Sequence, residues 1–109
     1  MRILIFGDSI TQGFWDSEGG WVQRIRKMYD LHKIDNIQDD VPTIFNLGVS
    51  GDSTDEIIQR FETETRARLE DELVIIFSVG VNDSRVRDTK EFSNIERYQQ
   101  NLATLYIRL

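Results

Sequence analysis

The sequence predicts an α/β fold built on a parallel sheet, and three observations carry that expectation. Three short apolar runs, "RILIF" (2–6), "TIFNL" (43–47) and "LVIIFSV" (73–79), each stop at a glycine. Between and after them lie longer stretches whose apolar residues recur at three-and-four spacing. The two kinds of segment alternate along the chain. Continuous apolar runs suit strands buried on both faces, and alternation with helices gives parallel strands joined by right-handed crossovers.

In chain order, the first strand covers 2–6 and ends at Gly7. A Gly-containing loop follows, and then Trp21, Val22, Ile25, Met28 and Leu31 form the apolar stripe of a helix ending near Lys33. The acidic loop "IDNIQDDVP" (34–42) carries the only proline and leads into the second strand, stopped by Gly48. Ser53 and Glu56 have the capping-box spacing, and Ile57, Ile58, Phe61 and Leu69 supply the buried side of a helix reaching about Leu69. The third strand is the strongest, closed by Gly80 and the turn-forming "VNDS". Phe92, Ile95, Tyr98, Leu102, Leu105, Tyr106 and Leu109 place one amphipathic helix over "EFSNIERYQQNLATLYIRL". No internal repeat, low-complexity segment or linker interrupts the three βα units, so residues 1–109 are expected to lie in one domain. Leu109 falls on the apolar stripe with no Gly, Asn or Pro to close the helix, which suggests the N-terminal part of a longer domain.

Composition narrows the function classes. Nineteen acidic residues against 13 Lys and Arg give a formal charge of -6, opposite to the surface that neutralises nucleic-acid phosphates or anionic lipid. There is no cysteine, hence no disulfide, thiolate metal site or Cys nucleophile. No run approaches roughly 18 apolar residues, and no cleavable leader is recognisable after Met1, so a cytoplasmic protein without a membrane span is expected.

Ligands of open parallel sheets bind outside the carboxyl ends of the strands. The loops there are "GDSIT", "GVSGDS" and "GVNDS". They offer the Ser9 hydroxyl, backbone N–H groups at Ser9 and Gly51, and the Asn82 amide. Acyl transfer uses this combination, because attack on a carbonyl puts negative charge on oxygen and pre-aimed donors stabilise it most in the transition state.

The blocks "FGDSIT", "NLGVSGDST" and "GVND" resemble the first three sequence blocks of the SGNH, or GDSL-type, hydrolases. The resemblance runs from Arg2 to about Asp83, with the last helix also in its expected place. It implies a three-layer α/β/α sandwich with a flavodoxin-like parallel sheet, here truncated to three βα units. It also implies an esterase or related acyl hydrolase acting on a small-molecule ester, with no metal and no cofactor. Carried over by position, Ser9 is the nucleophile and first oxyanion donor, Gly51 the second donor through its N–H, and Asn82 the third; Asp8 shapes the turn. The segment Gly7 to Thr11 lacks the second glycine of a G-x-S-x-G elbow, which separates it from the ordinary α/β-hydrolases.

A serine hydroxyl needs a base, which in this family is a histidine in a late D-x-x-H block. No such block occurs in the 109 residues, and the only histidine is His32. Trp21 to His32 spans about 16 Å at roughly 1.5 Å per residue, so His32 is expected near the opposite edge of the sheet. The chain by itself is therefore expected to be nearly inactive, with an unpaired third-strand edge that calls for self-association, strand exchange or a remainder of the protein. Asp39 and Asp40 read as a solvated loop, Trp21 as core, and Asp83 as turn chemistry, while Trp15 stays open between core and pocket. Three other readings remain: a flavodoxin-like nucleotide module, a metal-dependent phosphoesterase using Asp8, Asn82 and Asp83, and a non-catalytic interaction protein on a truncated hydrolase fold.

Overall fold

The structure is a computed structural model and describes residues 1–84, 86–87, 90–91 and 95–108. Strand β1 (Arg2–Gly7) lies between β2 (Thr43–Gly48) and β3 (Leu73–Ser78), parallel to both. The register sets Gly7 opposite Gly48 on one side and Ser78 on the other, so the three strands end level at their carboxyl edge. All three strand expectations hold to within one residue at their ends.

Alternate residues of β1 point to opposite faces of the sheet, as the pleat requires. Ile3 and Ile5 join Val22, Ile25 and Ile44 beneath helix α2 (Gly20–Asp35). Leu4 and Phe6 join Leu47, Ile57, Phe61 and Leu105 beneath helices α3 (Thr54–Arg66) and α4 (Ile95–Arg108). With α2 on one face and the α3–α4 pair on the other, the layers are α/β/α.

Several sequence expectations are corrected. A four-residue helix, α1 (Ser9–Gln12), stands where a plain loop was expected; it is too short to show periodicity. Helix α3 stops at Arg66, and Leu69 lies beyond it, exposed. Met28 and Leu31 lie on α2 but face solvent, as do Ile95 and Tyr106 on α4. The buried faces of these helices are narrower than the apolar stripes, because a three-stranded sheet offers each helix a narrow floor. Glu91 is not helical: Val86–Arg87 (β4) and Lys90–Glu91 (β5) pair antiparallel before α4 begins. Phe92 and Leu109 lie outside the described residues. Among the described residues, no helix is long and apolar enough to cross a membrane.

Candidate active site

The site is assembled from the turn that follows each strand. After β1, Asp8 adopts an extended conformation and its carboxylate accepts from the Ile10 N–H at 3.0 Å, capping α1, while Gly13 closes that helix in the left-handed region. Asp8 thus supplies the cap, and Ser9 is the first residue of the helix, half-buried at the edge of the sheet.

The second turn is stapled to the first. Val49 donates to the Gly7 carbonyl at 3.1 Å, and Ser50 N–H donates to the Gln12 side chain at 2.7 Å. Asn46 donates to the Thr11 carbonyl at 2.9 Å. Gly48 allows this contact: a Cβ there would stand 2.4 Å from the Gln12 nitrogen and 2.9 Å from the Asp8 carbonyl, both backbone atoms. Asp52 N–H returns to the Val49 carbonyl at 3.1 Å, closing a turn with Gly51 at φ 88°, a conformation that glycine adopts freely. The space where a Gly51 side chain would be is open. Among the described residues, neither the Gly51 N–H nor the Ser9 hydroxyl has a hydrogen-bond partner.

The third turn reaches the second. Asn82 Nδ2 donates to the Asp52 carbonyl at 2.8 Å, placing the Asn82 amide on the Asp52–Ser53 peptide, one residue past Gly51, and leaving its second N–H free of that bond. Asp83 does more than local turn chemistry. It is buried and accepts from the Thr54 N–H at 3.1 Å and from the Thr54 hydroxyl, tying the end of β3 to the start of α3. Asn101 of α4 joins through Thr54 Oγ1 at 3.0 Å and Asp55 Oδ1 at 2.9 Å.

The N-terminus of α3 is filled by the protein itself. Ser53 caps it and forms the capping box with Glu56. Phosphate would meet carboxylates there, which opposes the nucleotide reading. Asp8 and Asp83 both accept from backbone N–H groups, which opposes their use together as free metal ligands.

Burial pushes the Asp52 carboxyl above its ordinary value of 3.8. The hydrogen bond and charge of Arg60 pull it down, the neighbouring Glu56 and Asp8 charges push it up, and burial outweighs the short Arg60 contact. Folded Asp52 therefore holds its proton to higher pH than the unfolded carboxyl. Between the two values the native state binds more protons, so this group's contribution to stability falls as pH rises. Relative to Asp52→Asn, the wild-type chain is expected to lose unfolding free energy across that window and to keep a constant offset above it. Urea melts at stepped pH check this; a difference that instead grew with pH would reverse the sign.

His32 lies in the last turn of α2, at the edge opposite Ser9, with Nε2 2.8 Å from the Asp39 carboxylate; both side chains and Asp40 are exposed. Trp21 packs into the α2 core, whereas Trp15 is 92% exposed and stacks edge-on against Phe14. A cleft of about 410 Å³ lined by Phe61, Leu69, Leu73 and Ile75 opens near the start of β3, away from the three turns.

A model of the GDSL-like Lipase/Acylhydrolase family matches residues 5–108. The chain is a member of the GDSL-like family. Among solved structures it is similar to AlinE4, an SGNH-hydrolase family esterase, at 26% identity and TM-score 0.73, over 99% of this chain and 52% of that one. It is similar to the lipase/acylhydrolase from Enterococcus faecalis at 28% identity and TM-score 0.66, over 98% and 51%. With a variant of Axe2, an acetyl xylan esterase from Geobacillus stearothermophilus, it shares the fold, at 20% identity and TM-score 0.70, over 98% and 53%. This GDSL-like chain spans about half the length of these solved relatives. The sequence has no significant match among curated proteins.

Proposed function

We propose that this chain carries the nucleophile and oxyanion-binding half of a serine esterase. Ser9 attacks a carboxylic ester to form an acyl-enzyme, and the N–H groups of Ser9 and Gly51 with the Asn82 amide receive the oxyanion. The observation that carries this reading is the bond from Asn82 to the Asp52 carbonyl, which brings the third turn to the second while the second is stapled to the turn bearing Ser9. Membership of the GDSL-like family supports it. The reaction requires a base to take the Ser9 proton, and His32, at the far edge and paired with Asp39, does not supply it.

The test is hydrolysis of p-nitrophenyl acetate by the 109-residue chain and by an active form that carries a D-x-x-H block, each with Ser9→Ala. The chain alone is expected to stay near the buffer rate, and the active form to lose turnover with Ser9→Ala. An ordinary enzymatic rate from the chain, abolished by Ser9→Ala, would overturn its expected inactivity. Turnover that survives Ser9→Ala would overturn the nucleophile.

We also propose that the 109-residue chain associates through β3. Among the described residues β3 pairs only with β1, and Val74 and Ile76 are each 39% exposed. An unpaired apolar strand edge is a template for another strand. Sedimentation velocity is expected to show concentration-dependent association that Ile76→Lys reduces; a wild-type chain that stays monomeric at every concentration reached refutes it.

A further inference from the structure

Arg60, on the second turn of α3, has its side chain largely buried beneath the candidate site. Its Nε meets Asp52 Oδ2 at 2.8 Å, and its Nη2 meets the Leu47 carbonyl at 2.8 Å and lies 3.5 Å from the Gly7 carbonyl. The guanidinium carbon is 5.4 Å from the centre of the Phe6 ring. One planar cation thus touches the carboxyl ends of strands β1 and β2 and the residue that follows Gly51.

Asp52 passes that placement on. Its N–H closes the turn onto Val49, fixing the peptide next to Gly51, and its carbonyl receives the Asn82 amide. Two of the three oxyanion donors therefore border a residue whose side chain is held by Arg60. We infer that Arg60 is a positioning residue that, through Asp52, sets the direction of the Gly51 N–H and of the Asn82 amide. This rests on the reading of those groups as oxyanion donors. A buried ion pair is weak evidence of stability, since desolvation opposes its attraction. Directional restraint is what the fork supplies: a guanidinium donates in fixed directions within one plane, whereas a lysine ammonium is a point charge. Preorganised donors need that restraint.

The coupling is read without turnover, by 1H–15N NMR of the 109-residue chain with Arg60→Lys, with Asp52→Asn, and with Arg66→Lys as control. Arg66 pairs with Glu62 on the exposed side of the same helix. In Arg60→Lys and Asp52→Asn the Gly51 N–H and Asn82 side-chain resonances are expected to shift together, while those of α2 and His32 stay in place and Arg66→Lys moves neither donor. Donor resonances unmoved in the folded variants, or moved equally by Arg66→Lys, overturn the inference. Should Arg60→Lys unfold the chain, the near-isosteric Asp52→Asn carries the same readout; unfolding of both makes Arg60 a residue of the fold and overturns the positioning role. In an active form, Arg60→Lys is expected to lower kcat with little change in KM. Unmoved resonances while Asn82→Ala still lowers kcat would remove Arg60's role alone. Coupled shifts with a fully active Asn82→Ala would remove the oxyanion reading alone.

Discussion

Phe6→Ala is expected to destabilise the chain by about 3–5 kcal/mol, the range for emptying a buried phenylalanine site. Phe6 is fully buried, and its ring centre lies 5.3 Å from that of Phe61 and 5.7 Å from that of Phe77. Those partners sit on α3 and β3, so the three rings join the central strand to the helix layer. The backbone of β1 is pinned by parallel partners on both sides and cannot move in to refill the space. Arg60 would also lose the ring beneath its guanidinium. Because domains are stable by only about 5–15 kcal/mol, this one change removes a large fraction of the total. Phe14, 55% exposed, provides the contrast: Phe14→Ala should cost no more than about 0.5 kcal/mol. Urea denaturation followed by circular dichroism compares the two; equal midpoints would show that the aromatic cluster does not govern stability.

The same residues show why so much of the fold was legible. After Arg2, "ILIF" is apolar throughout because both faces of β1 are covered, so the run itself announced a strand buried on both faces. Ser53 and Glu56 announced the start of α3 because a capping box is chemistry between near neighbours, and it forms where the spacing placed it. Ends and exposures were harder to read. Leu69 and Tyr106 have helical spacing and apolar side chains, yet their burial depends on whether another element covers them, which periodicity does not encode. The positions of Ser9, Gly51 and Asn82 beyond three level strand ends followed from glycine-stopped runs. The groups that hold them did not. Arg60, Gln12 and Asn46 act across 35 or more residues of sequence, or between a helix and strand ends, and resemble ordinary polar residues of a helix or strand until the turns meet. For Asp83 the signal was present but misassigned, because a carboxylate in a turn usually bonds locally, whereas here it reaches Thr54.

In an active form of the protein, Asn82→Ala is expected to lower kcat by about 10²–10³, equivalent to about 2.7–4 kcal/mol of transition-state stabilisation. One N–H of the Asn82 amide is held by the Asp52 carbonyl at 2.8 Å, which fixes the plane of the group. On the proposed reading the other N–H is the one that meets the oxyanion beside Ser9. A neutral ester carbonyl is a weaker acceptor than the tetrahedral oxyanion, so most of the loss should fall on kcat while KM changes little. The structural cost is smaller and separable. Removing the bond to Asp52 forfeits about 0.5–1.5 kcal/mol of stability in a half-buried turn, too little to unfold a chain that retains its aromatic core. On the proposed reading Ser9→Ala differs in kind, because it would remove the atom that forms the acyl-enzyme and leave no slower version of that route. Steady-state kinetics with p-nitrophenyl acetate separate the roles. Asn82→Ala with unaltered kcat would leave Asn82 as a brace for the Asp52 turn and take it out of the oxyanion site.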